Sequence, residues 1–323
     1  MLVREYLYIV VESAYGTPKA SPTAGVDDIW IRLDEGNNFT MEPVPVTVDI
    51  PHGAGLALKC DTVSAKTELK GTLKVKLCYS QAAILLGMGL VPMDSTPLPW
   101  ASTEPIGDLA SVSIYHAVYQ DDTGTFARTK FNGVKNTGGK LDVSEESQIM
   151  QLSLDLQGST YFPNPVTTTA ITTTEFPATA AETLFPTDYV LFEHSGGGVT
   201  INTTVRALYW NLSHSWTNKC EAMYFANKYV QRIRMYGRDL TLDSEIMLVG
   251  TPDDLTPYRA VTGFGVTVIY TDTTNTLTFA YQSSNIISKL PFDLQNEKSY
   301  RRKMSIENRF DKTAGVDFAL TVA

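Results

Sequence analysis

Met150-Gln151-Leu152-Ser153-Leu154-Asp155-Leu156-Gln157-Gly158 sets a leucine at every second position and polar residues between. Successive side chains of a strand point to opposite faces, so Leu152, Leu154 and Leu156 share one buried face and Ser153 and Asp155 the other. The same period of two recurs along the chain. Ile29-Trp30-Ile31-Arg32-Leu33 alternates, and within Leu69 to Tyr79 the residues Leu73, Val75 and Leu77 are separated by Lys74 and Lys76. Further on, Val205-Arg206-Ala207-Leu208-Tyr209-Trp210 and Gly237-Arg238-Asp239-Leu240-Thr241-Leu242 read as strands, as does Val316 to Val322. Two hairpins stand out: Val112 to Tyr119 with Phe126 to Phe131 around Gln120-Asp121-Asp122-Thr123-Gly124, and Val266 to Tyr270 with Leu277 to Tyr281 around Thr271 to Thr276. The fold class is mainly β.

A Thr/Ala/Pro-rich stretch separates two sets of strands. Residues 163–187 hold Thr167-Thr168-Thr169, Thr172-Thr173-Thr174, Pro177 and Pro186, a composition with little apolar surface to bury, and read as an extended linker. The division is therefore a β domain over 1–162, the linker, and a second β domain over 188–323. Each follows the same order: a strand, a long gap, a strand, a short helix, a hairpin and a closing strand. The helices fall at Ser80 to Leu90, where Ala83, Leu86 and Leu90 share a face, and at Thr251-Pro252-Asp253-Asp254, which has a hydroxyl cap, proline at the first position and acids in the first turn. Two tandem β-sandwich or barrel-like domains, each with a short flanking α-helix, are expected.

Composition narrows the function. The chain has 323 residues, 43% hydrophobic and 19% charged, with a formal net charge of −9. That charge argues against a protein that wraps nucleic acid, because tight phosphate binding needs clustered Lys and Arg. Cys60, Cys78 and Cys220 are too few and scattered for a disulfide framework or a zinc site. The apolar run Tyr6 to Val11 is too short for a signal peptide, and no stretch approaches the roughly 20 apolar residues that cross a bilayer, so the expectation is synthesis in the cytoplasm without a membrane partner.

Near the N-terminus, Glu12-Ser13-Ala14-Tyr15-Gly16-Thr17-Pro18 forms a turn in which Gly16 is free to take positive φ and Pro18 pushes Thr17 towards an extended conformation. This segment resembles the E-T/S-x-x-G-T-P/A opening of tail tube proteins from long-tailed bacteriophages. Phe131-Asn132-Gly133-Val134-Lys135, Lys140-Leu141-Asp142-Val143 and the leucine strand ending at Gly158 follow in the order that family shows, so the resemblance covers most of residues 1–160. The resemblance implies a structural virion protein without enzymatic activity or cofactor. It implies rings, three-fold assemblies of a two-domain subunit that imitate six-fold symmetry, stacked into a tube through which DNA passes without specific binding. Implied partners are further copies of the chain and other tail proteins such as the tape measure, terminator and distal tail proteins. The location implied is the virion tail, assembled in the host cytoplasm.

The residues that could carry other chemistry do not form a convergent set in the sequence. His52, His116, His194 and His214 lack metal-ligand spacing, and His194-Ser195-Gly196-Gly197-Gly198 has no Gly-x-Ser-x-Gly elbow beside it. Glu145-Glu146 and Asp253-Asp254 are adjacent residues, which on a strand point to opposite faces. Arg301-Arg302-Lys303 reads as a surface patch. Trp30, Trp100, Trp210 and Trp216 support the alternative function, a carbohydrate- or receptor-binding β-sandwich module of a phage baseplate or adhesin, although core packing explains Trp30 and Trp210 as well. Residues 37–65, with Pro43, Pro45 and Pro51, read as a long loop in which Val44, Val46 and Val48 await a partner and are the ring-stacking candidates. An inner wall built from the two hairpins with more Asp and Glu than Lys and Arg is expected to let DNA slide.

Overall fold

The structure is a computed structural model that describes residues 3–22, 26–33, 36–51, 59–90, 100–103, 108–120, 125–144, 149–162, 190–195, 209–225, 229–247, 264–271, 276–289, 301–309 and 316–322. Among them are one helix and a curled network of antiparallel strands. The expected linker and second helix lie outside the described residues, as do His52, Glu145-Glu146 and Asp253-Asp254.

Three sheets share two long bent strands. β1 (Val3–Ala14) turns through a two-residue hairpin into β2 (Thr17–Pro18), and Gly16 takes φ +79° there. β1 also lies between β3 (Asp28–Leu33) and β7 (Val112–Gln120). β7 pairs with the first part of β8 (Thr125–Ser144), which also takes β10 (Thr160–Phe162). Beyond Gly133, at φ +61°, β8 leaves this sheet and enters the long middle one. The middle sheet runs β4 (Asn38–Pro51), β5 (Lys59–Lys76), β9 (Gln151–Gly158), β8, β12 (Tyr209–Met223), β13 (Arg232–Met247), β16 (Arg301–Glu307) and the end of β15 (Thr276–Lys289). The start of β15 belongs to the third sheet, with β14 (Phe264–Thr271), β11 (Val190–Ser195), β17 (Val316–Val322) and β6 (Trp100–Thr103).

The strand pairings on either side of the expected linker follow one plan. Asn136, Leu156, Gly71 and Met41 stand side by side across β8, β9, β5 and β4; Ile287, Ile306, Leu242 and His214 do so across β15, β16, β13 and β12. A bulge follows the first residue of each row, before Gly138 and before Lys289. A second bulge lies five residues beyond the last, after Val46 and after Lys219. Both hairpins feeding these rows close at matching pairs, Gln120 with Thr125 and Thr271 with Thr276.

The reading of residues 37–65 as a loop is corrected: β4 and β5 make a long hairpin. Proline lacks the ladder donor, which argues against strand, but β4 is an edge strand and tolerates Pro43 and Pro45 there.

One core runs from Leu7 to Leu320 through all three sheets. The helix α1 (Tyr79–Gly89) is buried along almost its whole length, at Ala82, Ile84, Leu85, Leu86 and Met88, which suits a segment apolar on every side. In the middle sheet Val75, Leu152, Leu141, His214, Leu242 and Ile306 form a continuous row on the core face, six strands wide. The neighbouring row, Asn38, Lys74, Ser153, Lys140, Ser215, Thr241 and Glu307, faces away from the core.

Candidate assembly interface

The middle sheet is continuous because β8 and β12 pair edge to edge, from Ser144 opposite Asn211 to Gly138 opposite Thr217. At the end of this seam the core side is polar. Trp216 Nε1 donates to Asn136 Oδ1 at 2.9 Å, and Asn218 Nδ2 donates to Asn136 Oδ1 at 3.0 Å and to the Gly89 carbonyl at 3.0 Å. Asn136 in turn donates from Nδ2 to the carbonyls of Gly138 and Asp155. The bulge next to Asn136 turns it inward, and the buried amides tie the end of α1, β8 and β12 together. Gly139 stands opposite Trp216, where a Cβ would come within 2.5 Å of the indole Cζ2. An interior glycine pair in a strand marks such a close approach.

Past the seam, the β12–β13 hairpin lies across the first half of the chain. Val230 and Ile233 are buried, and the Ser159 hydroxyl donates to the Val230 carbonyl. Asp108 accepts from the Met235 backbone N–H at 3.1 Å, holds the buried Lys135 ammonium at 2.7 Å and has Arg232 at 3.8 Å. Thr67 makes an isolated parallel bridge with Tyr229. Beside this crossing is an open cleft of about 780 Å³ lined by Lys66, Glu68, Lys70, Asp155, Cys220 and Tyr224 among others. Its charges are matched in place: Lys70 lies 2.6 Å from Glu68, and Tyr224 donates to Glu68 at 3.1 Å. The Lys70 hydrogen bond holds the Glu68 carboxyl below its ordinary range, while burial and then Glu68 push Tyr224 up to about 12. Burial raises the Cys220 thiol, the opposite of what an activated nucleophile requires.

Two edges of the middle sheet remain. Among the described residues, the outer side of β4 and the outer side of β15 from Ile286 to Lys289 pair with no strand. Val44 and Val46 on β4 are 43% and 38% exposed. Val48 lies further along the same strand. The structure therefore sets the three stacking candidates on one hairpin arm.

The opening motif has a second role that its turn chemistry does not reveal. The Glu12 carboxylate accepts four hydrogen bonds: Oε2 from Gly16 N–H and the Ser111 hydroxyl, both at 2.6 Å, and Oε1 from the Ser113 hydroxyl at 2.7 Å and Gly133 N–H at 2.8 Å. It pins the β1–β2 turn to the point where β8 bends.

The remaining sequence candidates fall elsewhere. His214 is fully buried, its ring 4.3 Å from Phe279 and its two nitrogens bonded to the hydroxyls of Tyr281, at 2.5 Å, and Tyr270, at 2.7 Å. Desolvation lowers its pKa to about 3, so the ring is neutral, with one nitrogen donating and the other accepting. His116 is half-buried, 3.4 Å from Glu5. Trp216 is in the core, and Trp30 stacks on Tyr8 at 4.4 Å. Among the described residues no group of His, Cys, Asp and Glu could hold a metal ion, and no helix is long and apolar enough to cross a membrane. In sequence comparisons, no protein-family model and no curated protein matches the chain.

Proposed function

We propose that this chain is the tube subunit of a long-tailed bacteriophage, a duplicated β protein that joins head to tail into rings and stacks them into a conduit for DNA. The observation that carries the reading is the repeated pairing plan together with its unequal edges. Inside the chain, the β8 edge of the first repeat meets the β12 edge of the second. In the matched rows β15 stands where β8 does and β4 where β12 does, so the two open edges are a second copy of the joined pair. A chain with complementary edges at its two ends makes heterologous contacts, which form a ring when the rotation closes.

The sheet's dimensions favour three subunits. With strands roughly 4.8 Å apart, eight from each of three chains give a wall with a perimeter of roughly 115 Å and a bore of roughly 37 Å between backbones, against roughly 24 Å for two chains. Side chains narrow the smaller bore to a channel poorly suited to a duplex. The polar face of the middle sheet is the lining in this arrangement, in place of the hairpins expected from sequence, which belong to the other two sheets. Lys140 pairs with Asp142 and Lys219 with Asp239 on that face, both at 2.8 Å, so these two ammonium groups are already engaged by carboxylates and are weaker partners for phosphate.

Val44, Val46 and Val48 remain the ring-stacking candidates, since exposed apolar side chains on an arm suit a contact with another subunit. Electron microscopy of the concentrated protein tests the whole reading. Rings and tubes are the expected outcome, and replacing the three valines by serine leaves rings that do not stack. A chain that stays monomeric at millimolar concentration refutes the proposal.

A further inference from the structure

The β12–β13 hairpin is seated on its own chain; the β4–β5 hairpin, which keeps the same register as far as the bulge after Val46, has no such seat among the described residues. Trp216 and Asn218 on the core side of β12 are buried, whereas Pro43 and Pro45, at the matching places on β4, are exposed. We infer that the β4–β5 hairpin of each subunit lies across the second half of a neighbouring copy, as β12–β13 lies across the first half of its own chain. This rests on the ring reading above and adds to it: beyond meeting edges, each subunit reaches over its neighbour and clasps it.

The repeat specifies the contact. In the seated hairpin, Val230 is seven residues before Gly237, which pairs with Lys219 at the bulge, and it lies just outside β13; Lys59 is seven before Lys66, which pairs with Val46 at the equivalent bulge, but it stands inside β5 opposite Pro51, past a further bulge that β12–β13 lacks there. Ser159, the donor to the Val230 carbonyl, is three residues past Leu156, and Arg309 is three past its counterpart Ile306. The β5 segment that begins at Lys59 of one copy is thus brought to the region of Arg309 of the next. Arg309 is exposed, and its Nε lies 3.5 Å from Glu307, leaving the guanidinium with further donors for a backbone carbonyl in the role Ser159 plays within the chain.

The occupant is a second copy because the matching seat in the chain's own first half is already filled by β12–β13. Covering Pro43 and Pro45 would also remove the two exposed prolines on the core side of β4 from water and leave Val44 and Val46, on the opposite face, for stacking.

Cysteine pairing tests the inference in the full chain, with Cys60 and Cys220 changed to serine. Ser159→Cys with Val230→Cys closes within one chain and serves as the geometric reference. Chains bearing only Lys59→Cys, mixed with chains bearing only Arg309→Cys, are expected to give disulfide-linked dimers once rings form, and the double variant Lys59→Cys/Arg309→Cys a ladder ending at the ring size. A measurement on the unaltered protein guards against variants that do not fold: amide exchange at Arg309, which lies off the open strand edges, is expected to slow at least tenfold in the assembled state. Rings that form with no interchain disulfide and unchanged exchange at Arg309 overturn the clasp and leave the ring reading standing. Failure of the unaltered chain to assemble at any concentration overturns the ring reading, and the clasp with it.

Discussion

Replacing Glu12 by glutamine separates the carboxylate's role as an acceptor from its size. Both Oε atoms accept from a backbone N–H, Gly16 on one side and Gly133 on the other, and each also accepts from a serine hydroxyl. The serines can rotate to accept from an amide nitrogen, but the backbone groups cannot. Whichever way the glutamine amide is turned, one N–H is left facing an NH2 group. Hydrogen bonds to a charged group are worth about 1.5–3 kcal/mol, so Glu12→Gln is expected to cost about 2 kcal/mol. Glu12→Ala removes all four bonds but lets water reach the half-buried site, which limits its cost to about 4 kcal/mol. Urea unfolding reads both. With a slope of about 3 kcal/mol per molar, the midpoint falls by about 0.7 M for glutamine and about 1.3 M for alanine. A glutamine variant as stable as the parent would refute the claim that the charge matters, and would reduce the motif to its turn.

Two further outcomes follow from buried contacts. His214 binds a proton in the unfolded chain near pH 6.5 but, when folded, only at about 3, so the unfolded state holds more protons between these values and stability is lost as pH falls from about 6.5. The slope is at most about 1.4 kcal/mol per pH unit, and His214→Gln, which keeps a donor and an acceptor for Tyr270 and Tyr281, is expected to flatten it in urea midpoints measured from pH 4 to 7; an unchanged slope would assign the acid sensitivity to other groups. Gly139→Ala sets a methyl against Trp216 and is expected to cost about 1–3 kcal/mol and to shift the indole fluorescence, with a silent substitution arguing against close packing at the seam.

What was legible in the sequence depended on alternation. β9 and the two hairpins read correctly because one of their faces is buried and the other polar. The helix at Tyr79–Gly89 was legible from its apolar spacing despite Gly87 and Gly89. β4 was not, since Pro43 and Pro45 violate the strand pattern and only the neighbour β5 rescues it. β8 read as separate pieces because Gly133, Gly138 and Gly139 interrupt a strand that bends from one sheet into another. The polar seam at Asn136, Trp216 and Asn218 was invisible for a different reason: these residues are far apart in the chain, and nothing local distinguishes a buried asparagine from a turn asparagine. His214, equally, resembles any lone histidine until the two tyrosine hydroxyls beside it are known.

The seam between β8 and β12 also has a consequence for synthesis. Its two strands are separated by on the order of 70 residues, so at 5–20 residues per second β8 is made and its hairpin closed several seconds before β12 leaves the ribosome. During that interval the stretch from Gly138 to Ser144 presents an uncovered row of donors and acceptors, to which the β12 of another nascent chain is as complementary as its own. Crowded polysomes would then favour exchange of halves between chains, and slowing initiation, which spaces the ribosomes apart, should raise the yield of correctly closed protein.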